Sequence, residues 1–279
     1  MRTICFWRPA VLFAALGIAA LGTVSADQKP LWEFGLGVGT IVFQDYRGAD
    51  TTHAYVLPLP YFYYRGKFLQ ADRDGVRGRL FNQDWIELNV SLDATTPVRR
   101  NAARAGMPDL RPTFEIGPSL DLHLWKSASQ KMKFDVRLPL RSAFTFQAPP
   151  RAIGWVFTPN ASVDIADVAG LPGWNFGALA GPLFANRHYN NYLYTVDPQY
   201  ATAQRPAFQA AGGYAGTQVL ASLSKRYPAY WVGAYVRHDS LAGAVFESSP
   251  LVKRNSYWAG GLGFAWIIHQ SAGMVEAAE

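Results

Sequence analysis

The sequence predicts an all-β fold, an antiparallel barrel that crosses a membrane with its strands, and three observations predict it. From Phe114 to Trp125 one side of the chain is Phe114, Ile116, Pro118, Leu120, Leu122 and Leu124, and the other is Glu115, Gly117, Ser119, Asp121 and His123. That is period two, a strand with an oily face and a polar face. Its length of about twelve residues is nearer the nine to eleven of a tilted membrane strand than the five or six of a sandwich strand. The same alternation recurs along the chain. Finally, 14% aromatic residues, nine Trp and 25 Gly accompany only 16% charged residues, whereas about a quarter of a soluble domain is charged. Membrane interfaces give exposed aromatic rings a place.

Arg2 and Arg8 precede an apolar run from Pro9 to Val24, closed by Val24, Ser25 and Ala26, the three regions of a signal peptide. Residues 1–26 are therefore read as a removed leader and residues 27–279 as one barrel domain. Cys5 is the single cysteine and lies in the leader, so the mature chain is expected to have no disulfide, no thiolate chemistry and no cysteine-bound metal. The net charge of +6 falls to +4 without Arg2 and Arg8. It is spread along the chain with no basic helix, which argues against a nucleic-acid partner.

The strands follow in order. Trp32, Phe34, Leu36, Val38, Thr40 and Val42 alternate with Glu33, Gly35, Gly37, Gly39 and Ile41, placing the glycines on one face. Ala54 to Tyr64 is aromatic and extended, and Pro58 and Pro60 share one side; because proline withholds ladder donors, this strand is expected to be irregular or bulged. Asp84 to Leu92 alternates again. Met132 to Phe146 sets Met132, Phe134, Val136, Leu138, Leu140 and Phe144 against Lys133, Asp135, Arg137, Arg141 and Thr145. Charges on that side are costly to bury dry, so Lys133, Asp135, Arg137 and Arg141 are predicted to line a hydrated or charge-paired lumen. Ile153 to Ile165, Trp174 to Phe184, Gln209 to Arg226, Tyr230 to His238 and Tyr257 to Ile268 complete the set. No helical segment of useful length is expected.

In a bacterial outer-membrane barrel both chain ends lie in the periplasm, long loops face outward and tight turns inward. Ser240–Asn255, Asn186–Pro206 and Asp93–Pro112 then fall outside, and 126–130, 167–172 and 227–229 inside. Residues 54–81 make either one descending strand and a turn, for ten strands, or three short strands, for twelve. Ten is preferred, because three strands there would be short for a bilayer.

Ser119, Asp121 and His123 hold the residue types of a hydrolase triad on one strand face. Same-face neighbours stand about 7 Å apart, too far for the hydrogen bonds of that chemistry, so a polar lumen row is the reading. His53, His123, His188, His238 and His269 show no metal-ligand spacing, and no metal or other cofactor is expected. Arg99, Arg100, Arg104 and Arg111 crowd one outer loop. They either clamp lipopolysaccharide phosphates at the rim, where the arginine fork fits, or pair locally with Asp93 and Asp109.

Several segments together resemble the MltA-interacting protein family, also called MipA/OmpV. They are Asp45–Asp50 (DYRGAD), Leu57–Gly66 (LPLPYFYYRG), Gly106–Leu120 (GMPDLRPTFEIGPSL), the Tyr-rich stretch Tyr189–Val196 and Ser248–Lys253 (SSPLVK). The resemblance spans nearly the whole mature chain and implies an outer-membrane barrel in contact with membrane lipid. It also implies a scaffold, since the namesake joins a murein-cleaving lytic transglycosylase to a bifunctional murein synthase. A narrow channel for small solutes is the alternative, and an enzyme is not expected. A scaffold needs a periplasmic contact, and the charged stretch Lys67–Arg79, with Asp72, Arg73, Asp74, Arg77 and Arg79, is the candidate. One departure from the family pattern is the tail Gln270–Glu279, which follows the last strand where an aromatic residue would usually close it.

Overall fold

The computed structural model describes residues 28–66, 69–72 and 75–276; the leader lies outside them. The first strands are β1 (Gln28–Pro30), β2 (Trp32–Gln44), β3 (Thr52–Arg65), β4 (Leu69–Asp72) and β5 (Gly75–Gln83). Then come β6 (Ile86–Thr95), β7 (Thr113–Lys126), β8 (Met132–Thr145), β9 (Arg151–Phe157) and β10 (Asn160–Ala166). β11 (Trp174–Ala185), helix α1 (Arg187–Tyr194), β12 (Gly213–Arg226), β13 (Tyr230–Ser240), β14 (Ser256–Gln270) and β15 (Met274–Glu276) finish the chain. All pairings from β2 to β14 are antiparallel. The last strand β14 pairs with the first wall strand β2, and β10 and β11 pair with β8 and β9, so the sheet closes. Closure removes the sheet edges that a bilayer does not tolerate.

β9 and β10 are one descending strand. Phe157 faces Leu140 and Asn160 faces Arg137 on the same neighbour β8, and the ladder lapses only at Thr158 and Pro159. The predicted strand Ile153–Ile165 is therefore interrupted where proline has no donor. Counted this way, the wall has about twelve strand positions, the alternative rather than the preferred ten. The two additional positions are β4 and β5; β4, at four residues, does not span and leans on its neighbours.

Outward side chains are aliphatic and aromatic, as a lipid-facing wall requires. Trp32, Trp85, Trp125 and Trp266 stand exposed toward the end where the tight turns lie, and Phe146, Trp155 and Trp258 toward the other, two aromatic girdles at the interfaces. The glycines of β2 answer a steric demand: a β-carbon at Gly37 would land on the carbonyl oxygen of Phe264 in β14. At the periplasmic end the predicted loose tail is ordered. Leu31 N–H donates to Gly273 O at 2.9 Å, and β15 pairs with β1, Met274 opposite Pro30, prolonging the β14–β2 seam beyond the barrel.

Two readings of the front half are corrected. β3 is regular, not bulged, since β2 matches it residue for residue from Trp32–Tyr64 to Gln44–Thr52. The charged stretch taken for a periplasmic turn is the β4–β5 hairpin; β4 starts at the periplasmic end of β3 and runs back up the wall, so its tip points away from the periplasm. Arg73 and Asp74 lie outside the described residues. Asp72 ends β4, and Arg77 and Arg79 belong to β5.

Candidate functional site

The inward faces build a charged lumen in tiers. Near the periplasm Glu33 of β2, 1% exposed, accepts from Tyr61 Oη at 3.2 Å and Arg226 Nε at 2.9 Å, with Arg65 Nη1 at 3.1 Å. Three tyrosine and arginine groups around one carboxylate satisfy a charge that would otherwise be costly to bury. At mid-height Asn89 Nδ2 donates to Glu87 Oε1 at 3.2 Å and to Asp121 Oδ2 at 2.9 Å, while Arg137 Nε stands 4.0 Å from Asp121. Higher up, Arg141 Nε donates to Glu115 Oε2 at 3.0 Å, Nη1 to Ser91 Oγ at 3.3 Å and Nη2 to Asp93 Oδ2 at 3.4 Å. Asp135 meets His123 Nδ1 at 3.0 Å, and Lys133 sits opposite Asp164 in the ladder. The four charges singled out on β8 thus belong to a paired interior.

The triad types do not assemble. Ser119 Oγ donates to Asp121 Oδ1 at 2.6 Å, closer than the spacing argument allowed, because both side chains bend toward each other along the strand. His123 turns instead to Asp135, so no nucleophile meets a base. Among the described residues no cluster of metal-ligand types occurs.

The outer mouth is covered by a cap made from the four long loops. Its centre is Tyr194, 1% exposed, whose ring stacks on Phe246 with centroids 3.7 Å apart. Tyr194 Oη donates to Arg47 O at 3.0 Å, and Ser249 Oγ donates to Tyr194 O at 2.7 Å. Tyr46 Oη donates to Leu251 O at 2.8 Å. Gly48 adopts φ 94°, and its carbonyl accepts from Lys253 N at 2.7 Å; a β-carbon there would strike Leu241 at 2.8 Å. Asn101 Nδ2 donates to Asp45 Oδ2 at 2.7 Å. Burial pushes the phenols of Tyr46 and Tyr194 well above the ordinary tyrosine range.

Helix α1, which the sequence did not reveal, hangs this cap onto the wall. Asn186 caps it, its Oδ1 accepting from Tyr189 N at 3.0 Å, as asparagine favours at that position. Tyr189 Oη reaches Glu115 Oε1 at 3.0 Å, so the helix joins the Arg141 tier, and burial with the nearby Glu115 raises that phenol's pKa. Its polar composition, RHYNNYLY, hid the turn: the buried face is tyrosine and asparagine rather than aliphatic.

Arg104 is corrected too. It is 8% exposed, donating Nη1 to Leu193 O at 2.8 Å and Nη2 to Pro108 O at 3.4 Å, and burial lowers its pKa. It ties two cap loops and does not face the membrane, whereas Arg99 and Arg100 are exposed. Arg205 makes a similar tie, Nη1 to Ala105 O at 2.8 Å.

A closed antiparallel wall, a lipid-facing apolar band between aromatic girdles and long loops over one mouth define an outer-membrane β-barrel. The family model of the MltA-interacting protein MipA matches residues 36–268, and the chain belongs to that family. Two relatives are outer membrane protein Omp26La of Vibrio anguillarum and outer membrane protein OmpV of Vibrio cholerae. Each is 24% identical over 214 residues, covering 74% of this chain and 76% of the relative. Among solved structures, a bacterial polysaccharide outer membrane secretin overlays with a TM-score of 0.43 at 9% identity, covering 87% of this chain and 100% of that one. The protein resides in the outer membrane. Of the five segments that carried the resemblance, Asp45–Asp50, Tyr189–Val196, Ser248–Lys253 and the first part of Gly106–Leu120 meet in the cap.

Proposed function

We propose that this protein is a non-enzymatic anchor at the outer membrane that holds a murein-cleaving lytic transglycosylase at its periplasmic end and joins it to a murein synthase. The observation that carries the reading is membership of a family described by its interaction with such an enzyme. The cap supports it, since covering the outer mouth argues against an open trans-barrel channel and leaves the periplasmic end for partners. There the β1–β15 ribbon, with Met274 49% exposed, replaces the β4–β5 hairpin as the proposed contact, because a two-stranded ribbon offers free edges for strand addition. At the other end, exposed Arg99 and Arg100 are proposed to meet lipopolysaccharide phosphates.

The test is capture from gently solubilised envelopes with folded barrel as bait and heat-unfolded barrel as control. Recovery of a lytic transglycosylase or murein synthase by folded bait alone supports the anchor, and a chain ending at Gln270 should lose it. Recovery of neither refutes it. In planar bilayers the folded barrel should give no stable single-channel current.

A further inference from the structure

β3 is paired along both edges only at its periplasmic tip. One edge meets β2 throughout; the other meets β4 at Tyr64 and Arg65 alone. β6 in turn meets β5 only from Val90 down to Ile86. Among the described residues, Thr52–Tyr63 of β3 and Ser91–Thr95 of β6 therefore bound an unpaired slot in the outer half of the wall. Chain length enforces it: residues 66–85 must supply two strands and three turns, too few to match the height of β3.

The prolines mark the same edge. Arg65 N–H donates to Leu31 O at 2.8 Å, toward the β2 side, and the β2–β3 register runs without a shift. N–H groups alternate sides along a strand, so those of residues 58 and 60 would point into the slot. Both are proline and have no donor. Prolines at such positions block the addition of another strand, which keeps this edge from being sealed by a partner. Unpaired backbone persists at membrane depth only where it lines water or protein, so the remaining carbonyls and amides call for a hydrated slot.

Exposure agrees. Tyr55, whose partner in the ladder is Ile41, points inward yet is 43% exposed, and the inward Asp93 side chain is 54% exposed. Deeper inward groups, Glu87, Asn89 and Glu115, are 2%, 2% and 4% exposed. The β3 side of the slot carries Tyr55, Leu57 and Leu59, with Phe43 packed on Tyr55 at 5.7 Å; the β6 side carries Ser91 and Asp93. One border is aromatic and aliphatic, and the other accepts hydrogen bonds.

We propose that the slot between β3 and β6 is a lateral portal through which small amphipathic amines, an apolar body with a protonated head, pass between the capped lumen and the outer leaflet. The body lies against Tyr55, Leu57 and Leu59, and the ammonium meets Asp93, whose contact with Arg141 leaves it half open. With the mouth covered from above, the side is the exit. This goes beyond the anchoring role and does not depend on it.

The test uses the barrel in lipid vesicles with dansylcadaverine as probe. Val56 and Leu92, 71% and 47% exposed, flank the slot, and the sequence beyond Cys5 has no cysteine, so Val56→Cys with Leu92→Cys can be joined by a reducible bis-thiol linker. Bridging is expected to slow probe transfer at least tenfold and reduction to restore it, while the same linker across the paired seam, Thr40→Cys with Leu262→Cys, changes nothing. Equal transfer before and after bridging the slot, or binding no greater than to empty vesicles, overturns the portal. Should the slot pair fail to fold, Asp93→Asn decides: it should weaken the amine at least fivefold and leave the hydroxyl-headed analogue unaffected, and equal affinities for parent and variant overturn the assignment.

Discussion

Tyr194→Ala separates the cap from the wall. The ring is buried, stacked on Phe246 and bonded to Arg47 O, so its loss leaves a cavity. Removing a buried aromatic side chain costs about 3–5 kcal/mol, of which the hydroxyl's bond supplies about 1 kcal/mol. Because these contacts join loops to loops, the cost should fall on cap opening and spare the barrel. At about 1.4 kcal/mol per decade, the opening equilibrium rises roughly a hundredfold or more, and Tyr194→Phe raises it about tenfold or less. Hydrogen exchange of the amides in 96–112 and 187–212 reads this opening, and heat-modifiable gel mobility reads the barrel. Exchange within threefold of the parent would refute the cap's dependence on this ring. A barrel that melts in step with the cap would refute their separateness.

Glu115→Ala leaves Arg141 with only the half-exposed Asp93 and should cost about 3 kcal/mol, as breaking buried pairs does; replacing both by leucine should cost less, in urea unfolding followed by tryptophan fluorescence. Gly37→Ala puts a β-carbon on Phe264 O and should prevent folding in detergent, with no heat-modifiable species on gels. The cap tyrosines have a pH signature. Burial raises the phenols of Tyr46, Tyr189 and Tyr194, so their stabilising contribution is complete below the free tyrosine value of about 10 and is lost as pH climbs above it. Protease resistance of the outer loops should stay flat from pH 7 to about 10 and fall beyond; a decline between pH 7 and 9 would count against this account.

The wall was legible because lipid on one side and polar groups on the other impose a period of two that Phe114–Trp125 and Met132–Phe146 state openly. Loop lengths gave the sidedness for the same reason. The hairpin β4–β5 was not legible: a four-residue strand has no period to read, and glycine and charge made it look like a turn. Pro58 and Pro60 were seen to withhold donors, but which edge they face depends on the neighbour's register, which only pairing supplies. Arg104 looked like its neighbours Arg99 and Arg100 because burial of a loop residue depends on other loops, here Leu193.

The cap explains why short loop phrases carried the resemblance better than the strands did. On the wall, many apolar residues serve equally against lipid, so Leu, Ile, Val or Phe can stand at an outward position and the pattern identifies only a barrel. In the cap each residue answers a particular partner: Gly48 admits Leu241 and Val252, Tyr46 reaches the Leu251 carbonyl, and Ser249 reaches that of Tyr194. Such contacts leave little freedom of residue choice and tie segments distant in sequence into one unit. A structure that closes its outer mouth this completely, and fills the lumen below with paired charges, is not arranged as an open pore. The surfaces left for traffic and partners are the side of the wall, where β3 lacks a neighbour, and the periplasmic end, where the two ends of the chain meet.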